Sequence, residues 1–247
     1  MRSLALTILA VSIAVAPLAA RAQDAALAAH VDKVLAAGTA RPGPPGPGCA
    51  VGVSSGGNKV ERAFGMADIE LGIPLTPESI LESGSVAKQF TAASIVTLAI
   101  EGKLRIDDPV KKYIPELPDY GAPLTIRNLL NHTSGIRDWG SVLELTGYGR
   151  GARLISQQLA LDVITHQRGI DFTPGAEYSY SNSGYTLLAT IVERVSGQSL
   201  PTFTAQRFFK PLGMSHSQWR DDYSRLVPGR AQAYAPSASN GWRLDMP

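Results

Sequence analysis

Apolar residues fall at helical spacing through most of this chain and in strand-like runs only near its start. From Asp24 to Ala37, the positions of Leu27, Val31, Val34 and Leu35 predict a first helix. Arg41-Pro-Gly-Pro-Pro-Gly-Pro-Gly48 carries no such period, and one short stretch of that kind reads as a stiff, extended connector. Cys49 to Ser54 and Lys59 to Phe64 then predict two strands of a hairpin turning at Gly56-Gly57-Asn58. The next run, Leu81 to Lys103, places Val86, Phe90, Ile95, Leu98 and Ile100 among small residues. It predicts a helix buried on most sides, with Ser85 in its first turn and Gly102 at its end. Further helices are expected after Asp107-Asp108-Pro109, over Leu124 to Asn131, Ala152 to His166, Thr186 to Val195 and Leu200 to Phe209. From Arg220 the pattern fades into polar, turn-rich sequence, and no closing element is expected before Pro247.

That pattern decides which polar residues stand out. Ser85 and Lys88 lie three apart at a helix start, so hydroxyl and amine share one face where unpaired backbone N–H groups concentrate. Ser-x-x-Lys arises by chance about once in a chain of this size, and a capping serine beside a solvated lysine is the plain alternative. Tyr180 and Asn182 lie two apart, and in an extended segment they project to the same side. There the plain alternative is a polar loop in which Asn182 or Ser183 caps the following helix. A phenol and an amide are nevertheless what a serine–lysine site needs beside it.

Composition narrows the field. Residues 1–22 have a positive start, an apolar core from Leu4 to Leu18 and a small-x-small end, the signature of a cleaved secretory leader. The mature chain, 23–247, is then one domain, periplasmic or secreted, with no stable membrane anchor. The 23 basic residues lose Arg2 and Arg21 with the leader and balance the 21 acidic ones, leaving no electrostatic footprint for nucleic acid. Cys49, the only cysteine, excludes an internal disulfide and reads as a small buried residue. The four histidines lack helical ligand spacing, so neither metal nor other cofactor is expected. Gly52-Val-Ser-Ser-Gly56 has the spacing of a nucleophile elbow around Ser54, but a strand rather than a helix is expected to follow it.

Ser85-Val-Ala-Lys88, followed by the apolar helix and Glu101-Gly-Lys-Leu-Arg-Ile-Asp-Asp-Pro109, resembles the serine β-lactamase and penicillin-binding protein superfamily. The likeness is to the branch of class C β-lactamases, D-alanine carboxypeptidases and related esterases. Leu129-Leu-Asn-His-Thr-Ser-Gly-Ile136 is similar to a loop signature of that branch, and Phe172-Thr-Pro-Gly-Ala-Glu-Tyr-Ser-Tyr-Ser-Asn182-Ser-Gly-Tyr185 to its tyrosine motif. Pro211-Leu-Gly-Met214 resembles the turn that follows. The resemblance implies an α/β fold of the α+β type, with a helical region packed against an antiparallel sheet. It also implies a serine hydrolase with an acyl-enzyme intermediate.

By that resemblance Ser85 is the nucleophile, Lys88 its activating partner and Tyr180 the proton relay. Asn182 binds the substrate's amide and helps hold Lys88, the Ser85 N–H serves the oxyanion, and His132 is structural. A β-lactam, a D-amino-acid peptide of the cell wall or an ester is the implied small-molecule substrate; oligomeric state stays open. The Lys-Thr-Gly or His-x-Gly motif of a C-terminal strand does not occur after Tyr180, so a domain incomplete at its C-terminus is expected. The alternative function is an impaired or inactive domain that at most binds β-lactams or cell-wall peptides. Trp139 and Tyr148 read as buried aromatics rather than pocket walls.

Overall fold

The computed structural model describes residues 25–36, 46–148, 155–238 and 241–245. The expected leader, most of the Pro-Gly connector and residues 152–154 of a predicted helix lie outside them. The chain divides into two compact units, one of Met1–Leu81 with Val227–Asp245 and one centred on Glu82–Leu226. No helix among the described residues is long and apolar enough to cross a membrane.

In the first unit, residues 25–36 form the expected helix α1. Its Asp32 accepts from Arg62 Nε at 2.7 Å. Strands β1 (Cys49–Ser55) and β2 (Asn58–Phe64) pair antiparallel from Cys49↔Phe64 to Ser55↔Asn58. Both turn residues, Gly56 and Gly57, have positive φ, as a two-residue hairpin requires. Ser54 therefore sits in a strand that leads into a hairpin, which removes the elbow reading. Cys49 is exposed, contrary to expectation: as the first β1 residue it lies where the strand emerges rather than within a core.

Two short pairs complete this unit. They are β3 (Met66–Asp68) with β4 (Ile73–Pro74), and β5 (Tyr234–Ser237) with β6 (Gly241–Leu244). The β5–β6 pair corrects the expectation that no element closes the described sequence. It is held by contacts far along the chain: Gln232 donates its N–H to Ala67 O at 2.8 Å, and Ile69 N–H donates to the Tyr234 hydroxyl at 2.9 Å. Antiparallel pairing is thus present as expected, as three two-stranded sheets among the described residues.

The second unit is helical. It holds α2 (Lys88–Ile100), α3 (Ile126–Leu130), α4 (Trp139–Leu145), α5 (Gln157–Thr165), α6 (Asn182–Ser196) and α7 (Leu200–Thr204). Helix α6 is its axis and touches α2, α3, α4, α5 and α7. Leu187, Leu188, Ile191 and Val192 are fully buried there, and their spacing wraps apolar contact around most of the helix. They meet Ile95 and Leu98 of α2, Ile126 and Leu129 of α3 and Ile164 of α5 in one core.

Helix α2 buries only the stripe Thr91, Ser94, Ile95 and Leu98, whereas Val86 and Ile100 are 63 % and 82 % exposed. A helix apolar on every side has no face legible in its sequence; its neighbours select one. Thr125 and Asn128 form a reciprocal capping box that starts α3. Helix α6 begins at Asn182, four residues before the expected start, because its first N–H finds an acceptor in a distant side chain described below.

Candidate active site

All four expected site residues lie in the helical unit. Ser85 sits in a 3-10 turn, Gly84–Ala87, that feeds directly into α2, so Lys88 opens the α-helix proper. In 3-10 geometry residues three apart eclipse one another, and Lys88 Nζ donates to Ser85 Oγ at 3.0 Å. Gly84, at φ +54°, allows the chain to enter that turn.

Tyr180 and Asn182 arrive on a second segment clamped to the loop that follows α3. Ser179 donates to His132 O at 2.9 Å, Gly175 to Thr133 O at 2.8 Å and Asp171 to Gly135 O at 2.8 Å. The two sequence motifs thus run side by side, joined through backbone. Gly135 has φ +71°, and a Cβ there would collide with the Phe172 carbonyl oxygen. Gly135→Ala is expected to lower unfolding free energy by about 2–4 kcal/mol, combining left-handed strain with overpacking. Urea unfolding measures this, and an unchanged midpoint would refute the clamp.

The side chains converge on the serine. Ser85 Oγ and Tyr180 Oη lie 2.6 Å apart, and Lys88 Nζ also donates to Asn182 Oδ1 at 2.8 Å. Tyr180 Oη is 3.3 Å from the same amide oxygen. The ammonium lies 4.9 Å and 5.5 Å from the ring centroids of Tyr180 and Tyr185, a cation held between two aromatic faces. Burial opposes ionisation of the Tyr180 phenol, and Asp138 opposes it more weakly. Hydrogen bonding to Lys88 and Ser85, with the charge of Lys88, prevails and draws the phenol pKa below its ordinary value. Tyr185 moves the other way, raised by burial and then by Tyr180, and its hydroxyl donates to Leu130 O at 3.2 Å.

His132, read from sequence as structural, packs its ring 4.5 Å from that of Tyr180 and 5.2 Å from that of Tyr185. Its Nδ1 accepts the Ser181 N–H at 3.3 Å, which requires an unprotonated nitrogen. Burial, then the Lys88 charge, holds its pKa below the ordinary value. Its backbone has φ +56°, unusual for a residue with a Cβ, and turns the loop so that the ring backs Tyr180.

Sequence reasoning missed Asp138. Its Oδ2 accepts from the backbone N–H of Asn182 at 2.5 Å and from Asn182 Nδ2 at 2.8 Å. Its Oδ1 caps α4 through Gly140 and Ser141. The available signal was Asp before Trp-Gly-Ser, a helix-cap pattern that says nothing of Asn182. Beside Lys88 and Asn182 opens a cleft of about 830 Å³, with Trp139, Tyr185 and Trp219 in its walls. Trp139 therefore packs on the core and also lines a cleft, while Tyr148, expected to be buried, is 46 % exposed.

This arrangement offers a hydroxyl nucleophile, a phenol of lowered pKa in contact with it and a cation serving both. Residues 31–246 match the Beta-lactamase family. The chain belongs to that family. Among similar proteins, a penicillin-binding protein of Bacillus subtilis is 32% identical over 76% of this chain and 41% of its own length. A D-aminopeptidase of Brucella canis is 33% identical over 70% of this chain and 33% of its own. The structure of a penicillin-binding protein homologue from Pyrococcus abyssi superposes with a TM-score of 0.70 at 29% identity, covering 81% of this chain and 46% of that one. The chain thus spans less than half the length of these Beta-lactamase relatives.

Proposed function

We propose that this chain is a serine hydrolase that works through an acyl-enzyme on a β-lactam, a D-amino-acid peptide or an ester. The observation that carries the reading is the contact of Ser85 Oγ with both Tyr180 Oη, at 2.6 Å, and Lys88 Nζ, at 3.0 Å. Tyr180, as phenolate, takes the Ser85 proton as Oγ bonds to the substrate carbonyl carbon. The same proton then passes from Tyr180 to the leaving nitrogen or oxygen as its bond to that carbon breaks. Water then gives a proton to Tyr180 as its oxygen bonds to the acyl carbon of the ester that remains. The same proton passes to Ser85 Oγ as the Oγ–carbon bond breaks, freeing the acid and restoring both serine and phenolate. Lys88 keeps a positive charge beside the phenolate throughout, and Asn182 holds Lys88. The names of the relatives, a penicillin-binding protein and a D-aminopeptidase, support the first two of these substrate classes. A periplasmic or secreted place of action belongs to this proposal and rests on residues 1–22 alone.

Incubation with fluorescent penicillin and with a fluorophosphonate, followed by peptide mapping, tests the assignment. The adduct is expected on the peptide that holds Ser85. An adduct elsewhere, Ser54 included, or none on a folded protein, removes Ser85 as nucleophile.

A further inference from the structure

We infer that Asp138 is a positioning residue: it orients the Asn182 amide so that its oxygen, and not its nitrogen, faces Lys88. The inference rests on the acyl-enzyme reading and adds to it a residue that touches neither Ser85 nor the reacting atoms. A carboxylate accepts hydrogen bonds and cannot donate, whereas an ammonium donates and cannot accept. Asn182 stands between the two, with Nδ2 2.8 Å from Asp138 Oδ2 and Oδ1 2.8 Å from Lys88 Nζ. Only one of the two amide orientations satisfies both neighbours, so the hydrogen bonds run in one direction, from Lys88 through Asn182 to Asp138. The backbone N–H of Asn182, on the same oxygen at 2.5 Å, fixes the start of α6 and with it the reach of the side chain. Asp138 is itself held by Gly140 and Ser141, so the anchor is rigid at its own end. Without it Asn182 is free to turn its NH2 toward Lys88, where donor meets donor and the ammonium loses an acceptor.

Helix capping alone makes a different prediction, and two variants separate the roles. Asp138→Ser keeps a good cap but is too short to reach Asn182. Asp138→Glu is a poorer cap but keeps an acceptor-only group with the reach to meet Asn182. Positioning predicts that fluorophosphonate labelling of Ser85 slows by roughly 10- to 100-fold in Asp138→Ser, the value of a hydrogen bond to a charged group. It also predicts partial recovery in Asp138→Glu. Capping predicts the opposite order, with melting temperature following rate.

The pH profile provides a second readout. Tyr180 is faced by Lys88, Ser85, His132, Tyr185 and Asp138. Neutralising Asp138 as a bare charge would move the rising limb of labelling to lower pH, because that charge raises the phenol pKa. Displacing Lys88, whose opposite influence is larger, moves it to higher pH, which is the expected result. A labelling rate unchanged in Asp138→Ser, Ser outperforming Glu, or a limb shifted to lower pH overturns the role of Asp138 while leaving Ser85 as nucleophile. Absence of wild-type labelling at Ser85 overturns both readings together.

Discussion

Tyr180→Phe is expected to slow acylation of Ser85 by about 10²- to 10⁴-fold, the contribution of a placed general base. The phenol oxygen makes its contacts within the site, to Ser85 Oγ and Asn182 Oδ1. The ring keeps its place in the variant, because its stacking on His132 at 4.5 Å does not involve the oxygen. Melting temperature is therefore expected to stay near wild type, and a fall in rate reports chemistry and not folding. Single-turnover labelling with a fluorophosphonate measures it. A rate within about twofold of wild type would transfer the base role to Lys88 acting directly, since its Nζ is also in contact with Ser85 Oγ. The geometry favours Tyr180, because Lys88 already donates to two oxygens and its hydrogen bond and charge help to lower the phenol pKa.

The parts of this site that could be read from sequence are those whose geometry is local. Ser85 and Lys88 are three apart in a helical turn, and Tyr180 and Asn182 straddle the start of α6, so spacing alone brings each pair near one face. What joins the pairs is not local. Asp138 lies 44 residues from Asn182, and its own surroundings announce only a cap for α4. The same oxygen explains the misplaced start of α6: the polar run offers Asn182 or Ser183 as a cap, but Ser181 makes no side-chain cap and the acceptor that fixes the first turn is Asp138. Ser183 joins the same junction by donating to Arg137 O at 2.6 Å and accepting the Trp139 N–H at 2.9 Å.

In the first unit, β1 and β2 were legible because a Gly-Gly turn fixes their register, whereas β5 and β6 are only four residues each and β5 carries Pro236. Their pairing depends on partners such as Ala67 and Ile69, more than 160 residues away, which no window along the chain can supply. The helix-rich middle and the N-terminal hairpin were accessible from a few strong apolar runs, whereas the fold class came with the resemblance carried by Ser85-Val-Ala-Lys88, the His132 loop and the tyrosine motif. The exposed Cys49 and the half-exposed Tyr148 were misjudged because an apolar or aromatic residue at the end of an element need not face inward.

Lys88→Met tests the other half of the site and is expected to lower the labelling rate on the order of 10²- to 10³-fold, as loss of a preorganised charge does elsewhere. Met is unbranched and adaptable, so the aliphatic part of the side chain keeps its place against Tyr180 and Tyr185 while the ammonium is lost. Two effects are then joined. Ser85 and Asn182 lose their shared donor, and the phenol of Tyr180 loses the hydrogen bond and charge of Lys88, leaving the Ser85 hydrogen bond alone to lower its pKa against burial and Asp138. Because phenolate is the active form, the rising limb of the pH profile moves to higher pH, and high pH recovers part of the lost rate. A limb that stays where it is would mean that Lys88 does not tune Tyr180. The double variant Tyr180→Phe/Lys88→Met completes the argument. Residues that act on the same proton are not independent, so its rate should fall little below that of the slower single variant. A rate equal to the product of the two separate losses would show that phenol and ammonium serve different steps.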